Sequence, residues 1–248
     1  MHKLAMKVLI LRDYEDVSRE AARRIVQLIL QKPNAVLALP TGETPRKMYS
    51  FLIEYARSGL ASFEGATIFN LDEYLGLPRD HPSSFRTYMQ RHFLAFVPVK
   101  EHHIPDSEAL DAEAECERYE VLIAQAGGID LAVLGLGING HIAFNEPGTP
   151  FESCTHVALL TPKTRQRLAP NFGGVEKTPV KAITMGIRTI MNARRILLMA
   201  CGAAKADILR KVLFGRISPE LPASVLQLHP DVTVLVDSEA ASRISNQL

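Results

Sequence analysis

Tryptophan is absent from this sequence, and cysteine is scarce, with 3 residues in 248. Cys116, Cys154 and Cys201 lie far apart, without the close spacing of a zinc site. Their odd number also argues against a framework of disulfides. Three reduced cysteines are typical of a protein that works in the reducing cytoplasm, which is the location that we predict.

Long apolar runs and an excess of charge of one sign are also missing. No apolar stretch approaches the roughly 18 residues that span a membrane. The apolar start, residues 1–11, leads directly into charged residues without a small-residue cleavage site, which predicts a first strand rather than a signal peptide. The formal net charge is +1 and the basic residues form no runs, which argues against nucleic acids and membranes as partners.

Apolar strands alternate along the chain with amphipathic helices. The predicted strands cover residues 6–11, 35–39, 67–71, 129–134, 181–185, 195–199 and 232–236. With 47% hydrophobic residues, the chain can bury a sizeable core. We therefore predict one α/β domain over residues 1–248, built on an open, mostly parallel, doubly wound sheet of the Rossmann-like type with helices on both faces.

Residues 148–178 fit this alternation less well. They contain several prolines, a pair of adjacent glycines and a short helical pattern near Thr164. Such a segment is typical either of an insertion that acts as a lid over a ligand or of a plain irregular connection.

The segment from residue 135 to residue 147, GLGINGHIAFNEP, is the most informative in the chain. It follows a predicted strand and has three glycines within six residues, which let a backbone approach a ligand closely. Asn139, His141 and Glu146 accompany these glycines, and a histidine can give and take protons near neutral pH. The glycines also match the dinucleotide-binding pattern, but no clear acidic ribose ligand follows. We therefore favour an acid–base site over a dinucleotide site or an ordinary turn.

Residues 40–45, PTGETP, resemble a phosphate cradle between a strand and a helix. Gly42 permits a tight turn, Thr44 is expected to cap the helix that follows, and free backbone N–H groups then face an anion. Thr41 and Thr44 add hydroxyl donors. Lys205 is expected in the first turn of another helix, where a cation opposes the helix dipole. Its position indicates either an anionic ligand or a solvated surface lysine.

Asp72 and Glu73 follow the predicted strand 67–71. A carboxylate at such a strand end can take a proton from carbon if it is partly desolvated. Without further information, a surface turn or a helix cap is the simpler interpretation of these two residues. The adjacent histidines at 102–103 are expected in a loop.

All these polar groups fall at the carboxyl ends of predicted strands, which meet at one edge of a parallel sheet. Together they suit proton transfer on a small phosphorylated molecule. No metal-ligand spacing or redox cysteine pair accompanies them in the sequence, and we predict neither a metal nor a cofactor.

Four segments of the chain carry a resemblance to a known family. They are LPTGETP at 39–45, FNLDEYLGLP at 69–78 followed by His81-Pro82, GHIAFNEP at 140–147 and LQLHP at 226–230. In this order, across almost the whole chain, they resemble the glucosamine-6-phosphate deaminases. The sister group of 6-phosphogluconolactonases usually carries a Gly-His-Thr-Ala-Ser type of block, which is absent here.

The resemblance implies the conversion of glucosamine 6-phosphate to fructose 6-phosphate and ammonia, in amino sugar catabolism and without a cofactor. It implies that His141 moves the ring-opening proton, with Asn139 and Glu146 shaping and polarising it. It also implies that Asp72 moves a proton between C2 and C1 of the sugar. The residues that would hold the phosphate are Thr41, Gly42, Thr44 and Lys205.

Three positions depart from the family pattern. Many members have aspartate where Asn139 stands. A small residue is frequent where Glu43 stands, so that the side chain of Glu43 must point away from the phosphate. Some members have a phosphate-binding arginine near Pro170, and Arg165 or Arg167 would have to substitute for it.

Other functions stay open at this point. The enzyme alternative is a galactosamine 6-phosphate deaminase or a lactonase, since the choice of sugar depends on pocket contacts. The alternative of another class is a sugar-phosphate sensor, but such modules normally carry a DNA-binding helix-turn-helix, and this sequence has no basic recognition helix. The sequence does not decide between a monomer and a homo-oligomer.

Overall fold

The computed structural model describes residues 6–245 and places ten strands and seven α-helices in them. The strands are β1 (Lys7–Leu11), β2 (Val36–Leu39), β3 (Thr67–Asn70), β4 (Asp72–Leu75), β5 (Glu101–His103), β6 (Leu131–Gly135), β7 (His156–Leu159), β8 (Lys181–Thr184), β9 (Ile196–Ala200) and β10 (Val232–Asp237). The helices are α1 (Tyr14–Gln31), α2 (Arg46–Arg57), α3 (Phe85–Met89), α4 (Ala112–Gln125), α5 (Pro162–Leu168), α6 (Ile187–Met191) and α7 (Ala206–Phe214). Residues 1–5, which belong to the apolar start of the sequence, and residues 246–248 lie outside the described part of the chain.

Seven strands form one parallel sheet, in the order β1-β10-β9-β6-β2-β3-β5. From β2 the chain extends the sheet through β3 and β5, then returns to the other side of β2 with β6 and continues through β9 and β10. The direction reverses between β2 and β6, where the carboxyl ends of strands in an open sheet leave a crevice for ligands. The predicted open, mostly parallel, doubly wound fold is confirmed.

Alternate residues along the central strands pack into two different cores, because successive side chains of a strand point to opposite faces. In β6, Ala132 and Leu134 face a core formed with α4, α6 and α7. Leu131 and Val133 face a core formed with α1, α2 and the π-helical turn Gln90–Leu94 that continues α3. Helices therefore cover both faces of the sheet, as predicted. None of the described helices has an apolar stretch long enough to cross a bilayer.

A second, antiparallel sheet has the order β4-β8-β7. The expectation that residues 181–185 extend the parallel sheet is therefore wrong. The chain changes partners at Leu71, whose N–H donates to the carbonyl of Leu39 while its own carbonyl accepts from Met185. This exchange passes the backbone directly from β3 into pairing with β8.

Residues 148–178 contain β7, which the sequence did not indicate, and α5, the predicted short helix. The ring of Phe172 packs on Tyr74 of β4, with the two centroids 5.3 Å apart. The hydroxyl of Ser83 donates to the carbonyl of Asn171 at 2.6 Å. The segment is thus held against α3 and the second sheet, and its action as a lid stays a prediction.

His102 and His103 lie in the edge strand β5 rather than in the expected loop, and they pair with β3. The ring Nε2 of His102 lies 2.6 Å from Oδ1 of Asn70. Burial, with a contribution from nearby Arg86, lowers the pKa of His102 to about 4. Neither histidine lines the cavity at the carboxyl edge of the parallel sheet.

Candidate active site

A cavity of about 510 Å³ lies at the carboxyl edge of the parallel sheet. The loops that follow β2, β3, β6 and β9 all contribute to its wall, so that it occupies the crevice where the strand order reverses. Of the predicted site residues, those that line it are Thr41, Gly42, Thr44, Asp72, Asn139, His141 and Lys205. Glu146 is buried just behind this wall.

The loop of residues 40–45 is held through its carbonyl groups by tyrosine hydroxyls. Gly42 has a φ of +96°, in the left-handed region that favours glycine. Within the described chain, the N–H groups of Thr41, Gly42 and Thr44 donate no hydrogen bond to protein. Three loop carbonyls, in contrast, each accept a tyrosine hydroxyl at 2.6–2.8 Å: Pro40 from Tyr49, Gly42 from Tyr88 and Glu43 from Tyr14. The loop is therefore fixed through its carbonyls while its N–H groups stay available for an anion.

The predicted capping role of Thr44 is wrong. The following helix, α2, begins at Arg46, and Pro45 takes the cap position with a helical φ of −84° and no side-chain cap. Because Thr44 is not used as a cap, its hydroxyl is free to face the cavity that it lines. The carboxylate of Glu43 is 85% exposed and lies 3.4 Å from Nη1 of Arg46, so that it is directed to solvent and paired.

Lys205 follows β9 and is buried. Its ammonium donates to the carbonyl of Leu136 at 2.5 Å. Burial and the neighbouring Arg167 lower the pKa of Lys205 to about 8. A negatively charged ligand beside Lys205 and Arg167 would stabilise the charged form of this buried lysine. This favours the interpretation that Lys205 binds an anionic ligand over that of a solvated surface lysine.

The two arginines considered for the phosphate differ in their surroundings. The guanidinium of Arg165 donates to the carbonyls of Val175 and Thr178, at 2.8 and 3.2 Å, within the segment 148–178. Arg167 lines the cavity and lies near enough to Lys205 to lower its pKa. Of the two arginines, Arg167 is therefore the one whose position allows contact with an anion in the cavity.

Asp72 is the first residue of β4 and is buried at the cavity wall, not in a surface turn. Its carboxylate accepts no hydrogen bond from any residue in the range 6–245. Burial, reinforced by the negative charge of Glu73, raises the pKa of Asp72 to about 8. A carboxyl group in this state exchanges protons near neutral pH, as a general acid or base must.

Glu73 has a different environment. Its carboxylate accepts the backbone N–H groups of Tyr74, Phe85 and Arg86 at 2.8–3.0 Å. It therefore fixes the start of α3, whose first residues line the cavity. The surface turn or helix cap that the sequence allowed at Asp72 and Glu73 is wrong for both, since they lie in the buried strand β4 and the N-cap of α3 is Ser84.

Asn139, His141 and Glu146 form one group. Nδ2 of Asn139 donates to Oε2 of Glu146 at 2.6 Å, and Thr164 donates to Oε1 at 2.6 Å. Nδ1 of His141 lies 3.3 Å from the same Oε1, without the angle of a hydrogen bond. Burial alone raises the pKa of Glu146, but its contacts with His141, Thr164 and Asn139 outweigh burial and lower it. Glu146 is therefore held as an anion beside the imidazole ring of His141.

The backbone of Gly137 packs directly against the imidazole ring of His141. A Cβ atom on Gly137 would lie 2.1 Å from Cδ2 of His141, so that glycine is required there. Ala143 has a φ of +50°, a conformation that costs a non-glycine residue on the order of 1 kcal/mol. Such strain is typical of backbone that positions functional groups.

A family model for glucosamine-6-phosphate isomerases/6-phosphogluconolactonase matches residues 12–235. A glucosamine-6-phosphate deaminase of Bacillus velezensis is 50% identical over 238 residues, which are 95% of this chain and 99% of that protein. Glucosamine-6-phosphate deaminase 1 of Bacillus subtilis (strain 168) is 49% identical over 239 residues, which are 96% of this chain and 99% of that protein.

Two solved structures show the same architecture. A monomeric glucosamine-6-phosphate deaminase superposes with a TM-score of 0.92 at 48% identity, over 96% of this chain and 100% of that chain. A 6-phosphogluconolactonase from Trypanosoma cruzi superposes with a TM-score of 0.81 at 22% identity, over 99% of this chain and 100% of that chain. At that identity the second likeness concerns the fold alone.

Proposed function

Because this chain belongs to the glucosamine-6-phosphate isomerase/6-phosphogluconolactonase family, we propose that it is an enzyme that converts glucosamine 6-phosphate and water to fructose 6-phosphate and ammonia. One observation carries the proposal: a single cavity is lined both by the loop 40–45 with its available N–H groups and by the buried carboxyl of Asp72, which accepts no hydrogen bond from residues 6–245. Proton transfer at a carbon of a phosphorylated sugar requires both parts.

The phosphate binds at the loop of residues 40–45. The free N–H groups of Thr41, Gly42 and Thr44 donate to its oxygens, and Lys205 and Arg167 neutralise its charge. Burial, and then repulsion by Arg167, lower the pKa of Lys205, and an anion bound between the two cations offsets that repulsion. The sugar carbons then occupy the remainder of the cavity, beside Asp72 and His141.

Ring opening is assigned to His141. The imidazole moves the proton between the C1 hydroxyl and the ring oxygen, and the carboxylate of Glu146, 3.3 Å from Nδ1, stabilises the imidazolium that forms. Asn139 and Thr164 hold that carboxylate. The product of this step is the open-chain aldehyde, which acidifies the hydrogen on C2.

Isomerisation and deamination are assigned to Asp72. Its carboxylate takes the proton from C2, and the electron pair forms the C1–C2 double bond. A proton passes from the C2 ammonium to O1, which gives a neutral enolamine with a hydroxyl on C1 and an amine on C2. The same carboxyl returns the proton to C1, which leaves an iminium at C2. Water adds to C2 and ammonia departs, so that fructose 6-phosphate is released. The ammonium of the incoming substrate favours the ionised form of Asp72, the form that this step needs.

The test is separate incubation with glucosamine 6-phosphate, galactosamine 6-phosphate and 6-phosphogluconolactone. We expect ammonia and ketose phosphate in equal amounts from glucosamine 6-phosphate. Ammonia from the galactosamine compound alone would reassign the sugar, and acid release from the lactone without any ammonia would replace deamination by hydrolysis.

The proposed setting is amino sugar catabolism in the cytoplasm, with a small sugar phosphate rather than a nucleic acid as the partner. The three free thiols of Cys116, Cys154 and Cys201 fit a reducing compartment.

A further inference from the structure

Thr164 connects the segment 148–178 to the acid–base group of the cavity. It lies in α5 and is buried, and its hydroxyl donates to Oε1 of Glu146 at 2.6 Å. The same oxygen faces Nδ1 of His141 at 3.3 Å. One carboxylate oxygen is thus shared between α5 and the imidazole.

The direction of this hydrogen bond is fixed by its neighbours. An ionised carboxylate can only accept, so that the single proton of the Thr164 hydroxyl points to Glu146. The oxygen of Thr164 in turn accepts from the hydroxyl of Thr161 at 3.0 Å. Thr161 is also the N-cap of α5, where its hydroxyl accepts the N–H of Thr164 at 3.2 Å. The start of α5 and the carboxylate of Glu146 are therefore parts of one hydrogen-bonded unit.

We propose that Thr164 is a positioning residue that, from α5, orients the carboxylate of Glu146 toward His141. The proposal rests on the proposed function. Asn139 holds only Oε2 of Glu146. Without the hydroxyl of Thr164, Oε1 of Glu146 is therefore free to turn away from the imidazole of His141. The proton transfer of ring opening then loses its counter-charge in the transition state, whereas the phosphate contacts stay intact. The expected consequence is a lower kcat at a nearly constant KM.

The experiment compares two substitutions at this position with a matched control. Thr164→Val removes the hydroxyl at constant shape, and Thr164→Ser keeps it. Thr189 makes an equivalent 2.6 Å bond to the carboxylate of Glu120 and does not line the cavity, so that Thr189→Val is the control. We expect Thr164→Val to lower kcat on the order of 10-fold, as for lost supporting contacts of a site. We expect Thr164→Ser to restore most of it and Thr189→Val to leave kcat unchanged.

Three results would overturn the proposal. They are wild-type kcat in Thr164→Val, a raised KM at constant kcat, which would indicate a direct substrate contact, and a failure of Thr164→Ser to restore activity. If Thr164→Val does not fold, Thr164→Ala removes the same hydroxyl and serves in its place. A wild-type protein that releases no ammonia refutes the proposed function instead, so that the two failures are distinguishable.

Discussion

Asp72 and Glu73 are consecutive residues of β4, yet only Glu73 finds hydrogen-bond partners among residues 6–245. Glu73 accepts three backbone N–H groups, from Tyr74, Phe85 and Arg86. Asp72 accepts none and lines the cavity. Because neighbouring side chains of a strand point to opposite faces, the carboxylate of Glu73 supports the start of α3 and that of Asp72 faces the cavity.

The first prediction concerns stability. Burial and Glu73 raise the pKa of Asp72 to about 8, so that the folded protein binds this proton more tightly than the unfolded chain. The contribution of Asp72 to stability is therefore fully present below its ordinary pKa and is lost as the pH rises toward 8. Asp72→Asn has no proton to lose. Its melting temperature should exceed that of the wild type by a margin that grows between about pH 4 and pH 8 and is constant above that range. A margin independent of pH would contradict the buried, protonated carboxyl.

The second prediction concerns Lys205. Because its pKa is lowered to about 8 by burial and Arg167, the ammonium loses its charge above that pH, and KM should rise there. Lys205→Arg should remove this alkaline rise, since a guanidinium keeps its charge. Below pH 8, Lys205→Ala should raise KM roughly 10-fold to 100-fold with little change in kcat, the cost of a lost charged hydrogen bond, and the difference from the wild type should shrink above pH 8, where the wild-type lysine is itself neutral. A fall in kcat at constant KM would place Lys205 at the reacting carbons instead.

The third prediction separates the two arginines of α5. Arg167→Ala should raise KM about 10-fold and leave the melting temperature unchanged, since the guanidinium is offered to the ligand. Arg165→Ala should lower the melting temperature and leave KM unchanged, because it removes hydrogen bonds to the carbonyls of Val175 and Thr178. Steady-state kinetics and thermal unfolding of both variants make the comparison. The opposite pattern would show that the phosphate uses Arg165.

The fourth prediction concerns Tyr88, whose hydroxyl holds a carbonyl of the phosphate loop. Tyr88→Phe leaves the carbonyl of Gly42 without its 2.7 Å donor, which costs about 1–3 kcal/mol if the carbonyl stays buried. The loop loses its fixed shape, and we expect inorganic phosphate to bind several-fold more weakly in a calorimetric titration. Tyr55→Phe is the control, since the Tyr55 hydroxyl donates no hydrogen bond within residues 6–245. Equal phosphate affinity in both variants would refute the supporting role of Tyr88.

The parts of the site that the sequence predicted are local. The glycines, His141 and Glu146 lie within residues 135–147, and the phosphate loop is a run of six residues, so that both were visible as patterns. The environment of Asp72 was not, because it depends on the pairing of β4 with β8, far away in the chain. The contacts of the tyrosine hydroxyls and of Thr164 could not be predicted from the sequence for the same reason. Tyrosines are common in hydrophobic cores and threonines at helix N-caps, so neither residue type by itself indicates a site. Only the fold places Tyr88 at the phosphate loop and Thr164 at Glu146.

The most direct test of the whole account is ammonia release from glucosamine 6-phosphate by the wild type and by Asp72→Asn, measured together with fructose 6-phosphate. We predict one ammonia per fructose 6-phosphate for the wild type. We predict a rate lower by roughly 100-fold or more for the variant, whose unchanged affinity for inorganic phosphate will show that the loop and Lys205 are intact. Equal rates in the two proteins, or no ammonia from the wild type, would contradict the account.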